Sequence, residues 1–251
     1  MTTTMAPPQH NASHHEGLAA LLVAISGGMP DAVVEIGTSP GALLEQFRQL
    51  AGLGSDRPLR LEAVTLAEAH PAGPWPDAPA AAIALCLEGA ETLPAARALE
   101  LVRWLTQAAD VVVFAAALPG QFGLQHIHCQ PTRYWCDLFK ICGFRRYDIL
   151  RQPLLADATI PWQQRQSLML YARLNSPREQ ELRQRHPHNF LPEEFELVHH
   201  TMVTNGLLFR AAPPETPTIG ELVRAVPTAL VESVRARLSV VGERLARLRD
   251  R

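Results

Sequence analysis

Ala32-Val-Val-Glu-Ile-Gly-Thr-Ser-Pro-Gly41 is the stretch that decides the fold. Ala32 to Ile36 is an apolar run that does not alternate with polar residues, the pattern of a strand buried on both faces of a parallel sheet. Gly37 stops it, and Pro40 stands where a helix takes its first turn. Leu43, Leu44, Phe47 and Leu50 then keep one helical face. Strand, glycine turn and helix in that order predict a βα unit. Upstream, Leu18, Leu21, Leu22 and Ile25 fall at i, i+3, i+4 and i+7, predicting a helix from about Ser13 that ends at Gly27-Gly28 and Pro30. Residues 1–13 are polar and read as a disordered tail.

The alternation continues downstream. Arg60 to Leu66 reads as a second strand, His70 to Pro79 with its four prolines as loop, and Ala81 to Leu87 as a third apolar run. Pro94 opens a helix carrying Leu99, Val102 and Leu105. Val111 to Leu118, bounded by Asp110 and Pro119-Gly120, is the most strand-like stretch of the chain. A helix from about Thr132 presents Trp135, Leu138, Phe139 and Cys142 on one face and stops at Gly143, and Tyr147 to Leu150 and Ser167 to Ala172 complete the strands. Buried strands alternating with helices predict an α/β fold with a doubly wound, mostly parallel sheet. The predicted domain spans 14–173, followed by a lid-like segment over 174–216 and helices over 217–251. In that last stretch Val234, Leu238, Val241, Leu245 and Leu248 repeat at intervals of 4, 3, 4 and 3 beside an arginine-rich face. The amphipathic helix either packs on its own domain or offers a homodimer contact.

The 251 residues, 47% hydrophobic and 19% charged, describe an ordinary folded globule. The apolar runs are too short to span a bilayer and the N-terminus has no signal-peptide pattern, so the expected location is the cytoplasm. A net charge of −2 predicts a small-molecule or protein partner, with no nucleic acid and no membrane. Lys140 is the sole lysine, which argues against Schiff-base chemistry, and no Walker phosphate loop is present. Cys86, Cys129, Cys136 and Cys142 contain no C-x-x-C pair and read as buried or idle thiols.

Open α/β sheets bind ligands at the carboxyl ends of their strands. The tips to inspect are Glu35 to Gly41, Thr65 to Glu68, Glu88 to Thr92 and Leu118 to Gln130. Two stretches there carry a pattern: Cys86-Leu-Glu-Gly-Ala-Glu-Thr-Leu-Pro94, and Phe114-Ala-Ala-Ala-Leu-Pro-Gly-Gln-Phe-Gly-Leu-Gln-His-Ile-His-Cys-Gln-Pro-Thr-Arg-Tyr-Trp135. They resemble S-L-E-V-A-E-H-L-P and F-S-A-A-I-P-G-Q-G-G-T-G-H-V-N-E-Q-W-P-S-Y-W of class I S-adenosylmethionine-dependent methyltransferases, in a bacterial subgroup of sugar and natural-product pathways. Leu150-Arg151, Pro161-Trp162, Arg165-Gln166 and Leu170-Tyr171 extend the likeness, which runs over residues 32 to about 205. It implies a Rossmann-like methyltransferase fold and S-adenosylmethionine as methyl donor or sole substrate.

The resemblance implies cofactor contacts from Glu35, Gly37, Thr38, Ser39, Gly41, Thr65, Glu68, Leu87 and Glu88. The chain also departs from the family. Ser39-Pro40 replaces the middle of the usual glycine loop, Thr65 stands where an acid would hold the ribose hydroxyls with Glu68 as its substitute, and Asp77 is the nearest adenine-side acid. Thr92 replaces the histidine of E-H, and His128-Cys129 replace N-E. His126 and His128 are the candidate bases, on one side of the loop if it is extended, against a histidine simply tied to backbone. Tyr134 is the candidate ring for the sulfonium, worth about 0.5 to 2 kcal/mol. Gln121, Gln130 and Tyr171 are substrate-side candidates. No metal is expected: His126, His128 and Cys129 lack a fourth ligand at a recognised spacing. Three readings stay open: methyl transfer to a small acceptor, cyclisation of S-adenosylmethionine to azetidine-2-carboxylate and methylthioadenosine as in azetidine synthases, and a non-catalytic methyltransferase-like subunit.

Overall fold

A computed structural model of the chain describes residues 16–53, 58–66, 74–87, 89–121, 126–154, Asp157 and 160–187. The elements run α1 (Glu16–Ile25), β1 (Ala32–Gly37), α2 (Ala42–Gly52), β2 (Arg60–Thr65), β3 (Ile83–Cys86), a 3-10 turn (Ala90–Thr92), α3 (Ala95–Ala108), β4 (Val111–Phe114), α4 (Thr132–Ile141), β5 (Phe144–Tyr147), α5 (Arg151–Leu154), α6 (Trp162–Ser167), β6 (Met169–Arg173) and α7 (Pro177–Arg185). The six strands form one sheet in the order β2-β1-β3-β4-β6-β5. β1 to β4 are parallel, while β6 runs antiparallel to both β4 and β5. This is the doubly wound α/β architecture that the apolar runs predict.

Alternation along the strands explains why both faces are covered. In β1, β3 and β4 every residue is buried. Val34, Ile36, Ala84, Cys86, Val112 and Phe114 meet α3 and α4 on one face. Val33, Ile83, Leu85, Val111 and Val113 meet α1 and α2 on the other. Neighbouring residues of one strand point to opposite faces, so a central strand is apolar along nearly its whole length, with Glu35 near the carboxyl end of β1 as the exception. β2, at the sheet edge, leaves Arg60, Glu62 and Ala63 exposed.

Several boundaries differ from the sequence reading. The run Val111 to Leu118 pairs only as far as Phe114, and Ala115 to Leu118 continue, still buried, as irregular chain towards the site. The penultimate strand is Phe144–Tyr147, not Tyr147 to Leu150, because Gly143 at φ 80° turns the chain straight into it. The first part of the expected lid also lies elsewhere. β6 is antiparallel, so its end delivers the chain to the amino ends of β1, β3 and β4, and α7 follows there; Arg178 Nη1 donates to Ser26 O at 2.7 Å, beside the end of α1. Residues 174–187 therefore do not cover the carboxyl ends. The tail 1–13, the lid residues beyond 187 and the helices 217–251 lie outside the described residues. No helix among those described is long and apolar enough to cross a membrane.

Candidate functional site

At the carboxyl end of β1 the buried Glu35 turns its carboxylate onto the following loop, where Oε2 accepts from the Gly41 N–H at 2.9 Å. Gly41 has φ 125° and ψ −24° and precedes α2 directly, a backbone that an L side chain rarely adopts. A Cβ built there would meet nothing within 4 Å, so this backbone borders open space. Thr38 and Ser39 are exposed on the same turn. Gly37 O accepts from Leu66 N–H at 2.8 Å and pairs in register with Thr65, which brings the β2 tip alongside.

The β3 tip closes on that turn from the other side. Gly89, at φ 119°, packs so tightly that an added Cβ would overlap Leu66 Cδ1 and lie 3.1 Å from Thr38 N. Leu87 is buried in the same cluster as Val33 and Val113, so its side chain belongs to the core. Glu68 and Glu88 lie outside the described residues.

Glu91 joins the tip to the segment that follows β4. Its buried carboxylate accepts from Gly89 N–H (Oε1, 2.8 Å) and Ala117 N–H (Oε2, 3.3 Å). Its backbone carbonyl accepts from both Ile127 N–H and His128 N–H at 2.9 Å. The His126 ring completes the corner: Nδ1 lies 3.1 Å from Gln121 O, and Nε2 lies 3.9 Å from Glu91 Oε1. Thr92, in the position of the missing histidine, instead donates its hydroxyl to Gly89 O at 2.6 Å and holds the 3-10 turn.

Glu91 is the residue that sequence reasoning missed. It stands in the quoted stretch at an inspected tip, but only three-dimensional contact reveals that the β3 tip and the 117–128 segment meet on its carboxylate. The field at this corner is negative. The Cys86 thiol is held well above the usual thiol range, first by burial and then by the charges of Glu91 and Glu35. Burial and Glu91 likewise raise the Cys129 thiol, which points at Gln121 O from 3.5 Å.

The remaining candidates separate by environment. Gln121 is buried, its Oε1 accepts from Leu118 N–H at 2.7 Å, and its Nε2 has no hydrogen-bond partner among the described residues. Gln130 is half-buried. His126 and His128 turn to different neighbours: the buried His128 ring meets Tyr134 edge-on at 5.2 Å and Trp135 at 5.6 Å. Burial lowers the His128 pKa, which keeps the ring neutral. Tyr134 is half-buried beside it, and burial raises its hydroxyl. Tyr171 is not a substrate-side residue. It is 1% exposed, stacks on Phe139 at 3.8 Å and pairs its hydroxyl with Cys136 Sγ at 3.4 Å. Its place opposite Val112 puts it in mid-sheet, away from the strand ends.

No protein-family description and no curated protein matches the chain. Among solved structures, the chain is similar to the plantazolicin methyltransferase BpumL in complex with SAH, at 10% identity over 65% of this chain and 84% of that one, with a TM-score of 0.41. It is also similar to PigF with SAH, at 11% identity over 66% of each chain and a TM-score of 0.35. A third is the Burkholderia thailandensis 1,6-didemethyltoxoflavin-N1-methyltransferase with bound 1,6-didemethyltoxoflavin and S-adenosylhomocysteine, at 13% identity over 64% of this chain and 77% of that one, with a TM-score of 0.33. The likeness is distant, and the site is assigned from this chain's own residues.

Proposed function

We propose that the chain binds S-adenosylmethionine at the carboxyl ends of β1, β3 and β4 and uses it in small-molecule biosynthesis, by methyl transfer to a small acceptor. The observation that carries this reading is the pairing of two buried carboxylates, Glu35 and Glu91, around the end of β3, beside the open backbone of Gly41. A sulfonium and an α-ammonium are both cations, and a negative corner suits them. The turn 37–41 has the glycine that a close-lying ligand needs, and Thr38 and Ser39 supply exposed hydroxyls to it.

Bound S-adenosylmethionine supplies an activated methyl group on sulfur. The chain's residues contribute orientation, which in well-aligned systems accounts for about 7 to 11 kcal/mol of barrier. Tyr134, half-buried and packed edge-on with His128 and Trp135, is the ring we assign to the cation. His126 is the base when the nucleophile carries a proton, a contribution of about 10² to 10⁴ in rate. The acceptor is small.

Calorimetric titration with S-adenosylhomocysteine tests the reading. Wild type should bind, and Gly37→Arg, with its fold checked by circular dichroism, should lose binding because the side chain fills the turn. Absence of binding to wild type, or unchanged affinity in Gly37→Arg, would overturn it.

A further inference from the structure

The outer edge of β2 carries a pattern apart from the candidate site. β2 ends one side of the sheet, and among the described residues no strand pairs with its far edge. The chain at Trp75 and Pro76 is held on α3 instead: Trp75 Nε1 donates to Glu100 Oε2 and Trp104 Nε1 donates to Pro76 O, both at 2.8 Å. In the parallel ladder Arg60 N–H donates to Asp31 O and Leu66 N–H to Gly37 O, so the even-numbered residues of β2 turn their backbone groups towards β1. Leu61 and Ala63 therefore point theirs outward, a row of donors and acceptors that another strand can use.

Side chains alternate across the same strand. Val64 belongs to the cluster beneath α3, and Leu59 and Leu61 pack on the cluster beneath α2. Arg60 and Glu62 thus stand exposed on the α3 side, and Leu59, Leu61 and the exposed Ala63 on the α2 side. Leu53, at the end of α2, is 84% exposed. Charges on an edge strand ordinarily repel a second strand. Here the two charges have opposite signs and lie two residues apart, so an antiparallel copy of the same strand brings the complement of each.

We propose that a second copy of the chain pairs with this edge, antiparallel, about a two-fold axis through Leu61. That register sets Arg60 opposite the partner's Glu62 and Glu62 opposite the partner's Arg60. These are non-hydrogen-bonded positions, where facing Cβ atoms come within about 4.5 to 5.5 Å. Leu61 exchanges both backbone hydrogen bonds with the partner's Leu61, and Ala63 pairs with the partner's Leu59. An axis through Glu62 would set acid against acid, and one through Ala63 would set Glu62 against Val64 and leave both charges unmatched. Arg60 has donors to spare: Nη2 reaches Ala80 O at 3.2 Å, and a guanidinium carries five N–H groups. The axis stands perpendicular to the sheet, so the α2 sides of both copies lie on one side. There Leu59, Leu61 and Ala63 of the two copies form one apolar strip, with Leu53 on the same side. The pairing does not depend on the cofactor reading, because it uses the edge of β2 and neither Glu35 nor Glu91.

Charge reversal in the full chain tests it. Sedimentation velocity at rising concentration should show a monomer–dimer equilibrium for wild type, weakened by salt because both ion pairs are exposed. Arg60→Glu sets acid against acid and Glu62→Arg sets base against base, and each should weaken dimerisation by about tenfold or more. The double variant Arg60→Glu/Glu62→Arg is self-complementary again and should restore the dimer. An equimolar mixture of the two single variants should form a heterodimer. Circular dichroism checks that the variants fold. Hydrogen exchange gives a second readout: the outward amides of Leu61 and Ala63 should slow as concentration rises, while that of Glu62, turned to β1, should not respond.

A wild type that stays monomeric at about 100 μM would overturn the proposal. So would a dimer that neither single variant weakens, the result expected of a contact through the C-terminal helices, or one that the double variant fails to restore. Exchange at Leu61 and Ala63 that is independent of concentration would overturn it as well.

Discussion

At the scale of single residues, burial and backbone conformation set the sharpest expectations. Gly89 combines φ 119° with a neighbour that an added methyl would overlap. Gly89→Ala should therefore destabilise the chain by about 1 to 3 kcal/mol, read as a lowered urea midpoint. It should also weaken binding of S-adenosylhomocysteine, because the strain falls between the β3 tip and Thr38. His128 carries a pH dependence of definite sign. Its folded pKa lies below the ordinary 6.5, so its unfolded form binds the proton first as pH falls. Stability should be full above about pH 6.5 and decline below it, with a smaller decline in His128→Asn, measured by urea unfolding at pH 7.5 and pH 5.5. Tyr171→Phe should cost no more than about 1 kcal/mol and leave ligand affinity unchanged, since the lost hydroxyl faces Cys136 in the core.

At the scale of elements, α7 shows how one acid can dock a helix. Ser176 accepts from Glu179 N–H at 3.1 Å as the cap of α7, and the fully buried Glu179 carboxylate accepts from Tyr147 O–H at 2.7 Å and Arg145 Nη1 at 2.8 Å. Burial, reinforced by Glu179, pushes the Tyr147 hydroxyl up to about 12. Glu179→Ala leaves the buried Tyr147 hydroxyl without its carboxylate acceptor, and should cost about 1 to 3 kcal/mol. Hydrogen exchange should localise the loss to α7 and β5, with the proposed site at the opposite edge of the sheet unaffected. Tyr147→Phe, which keeps the Arg145 contact, should cost less.

At the scale of the molecule, the site is carried by a rigid sheet whose two faces are packed independently of it. Phe139 is fully buried between Tyr171, Phe114 and Phe144. Phe139→Ala should cost about 3 to 5 kcal/mol in urea unfolding. The affinity of the fraction that remains folded should be unchanged, because the cavity opens beneath α4, away from the turn 37–41. A large loss of affinity would mean that core and tip are coupled.

The sequence by itself determined the α/β class, the order of its elements and the position of the first turn. These follow from patterns between near neighbours in the chain: unbroken apolar runs for central strands, i, i+3, i+4 spacing for helices, and Gly or Pro at the breaks. It also named the strand tips at which the proposed site is placed. Tertiary structure alone decided what meets at them. The Glu91–His126 contact spans 35 positions, and His128 and Tyr171, both offered as site residues by the resemblance, are buried. The direction of β6 sent α7 to the amino edge, although residues 174–216 read as a lid. Local sequence fixes φ/ψ preference and which face is apolar. Which distant side chains come within hydrogen-bond reach depends on strand order and direction, and those are set by the packing of the whole sheet.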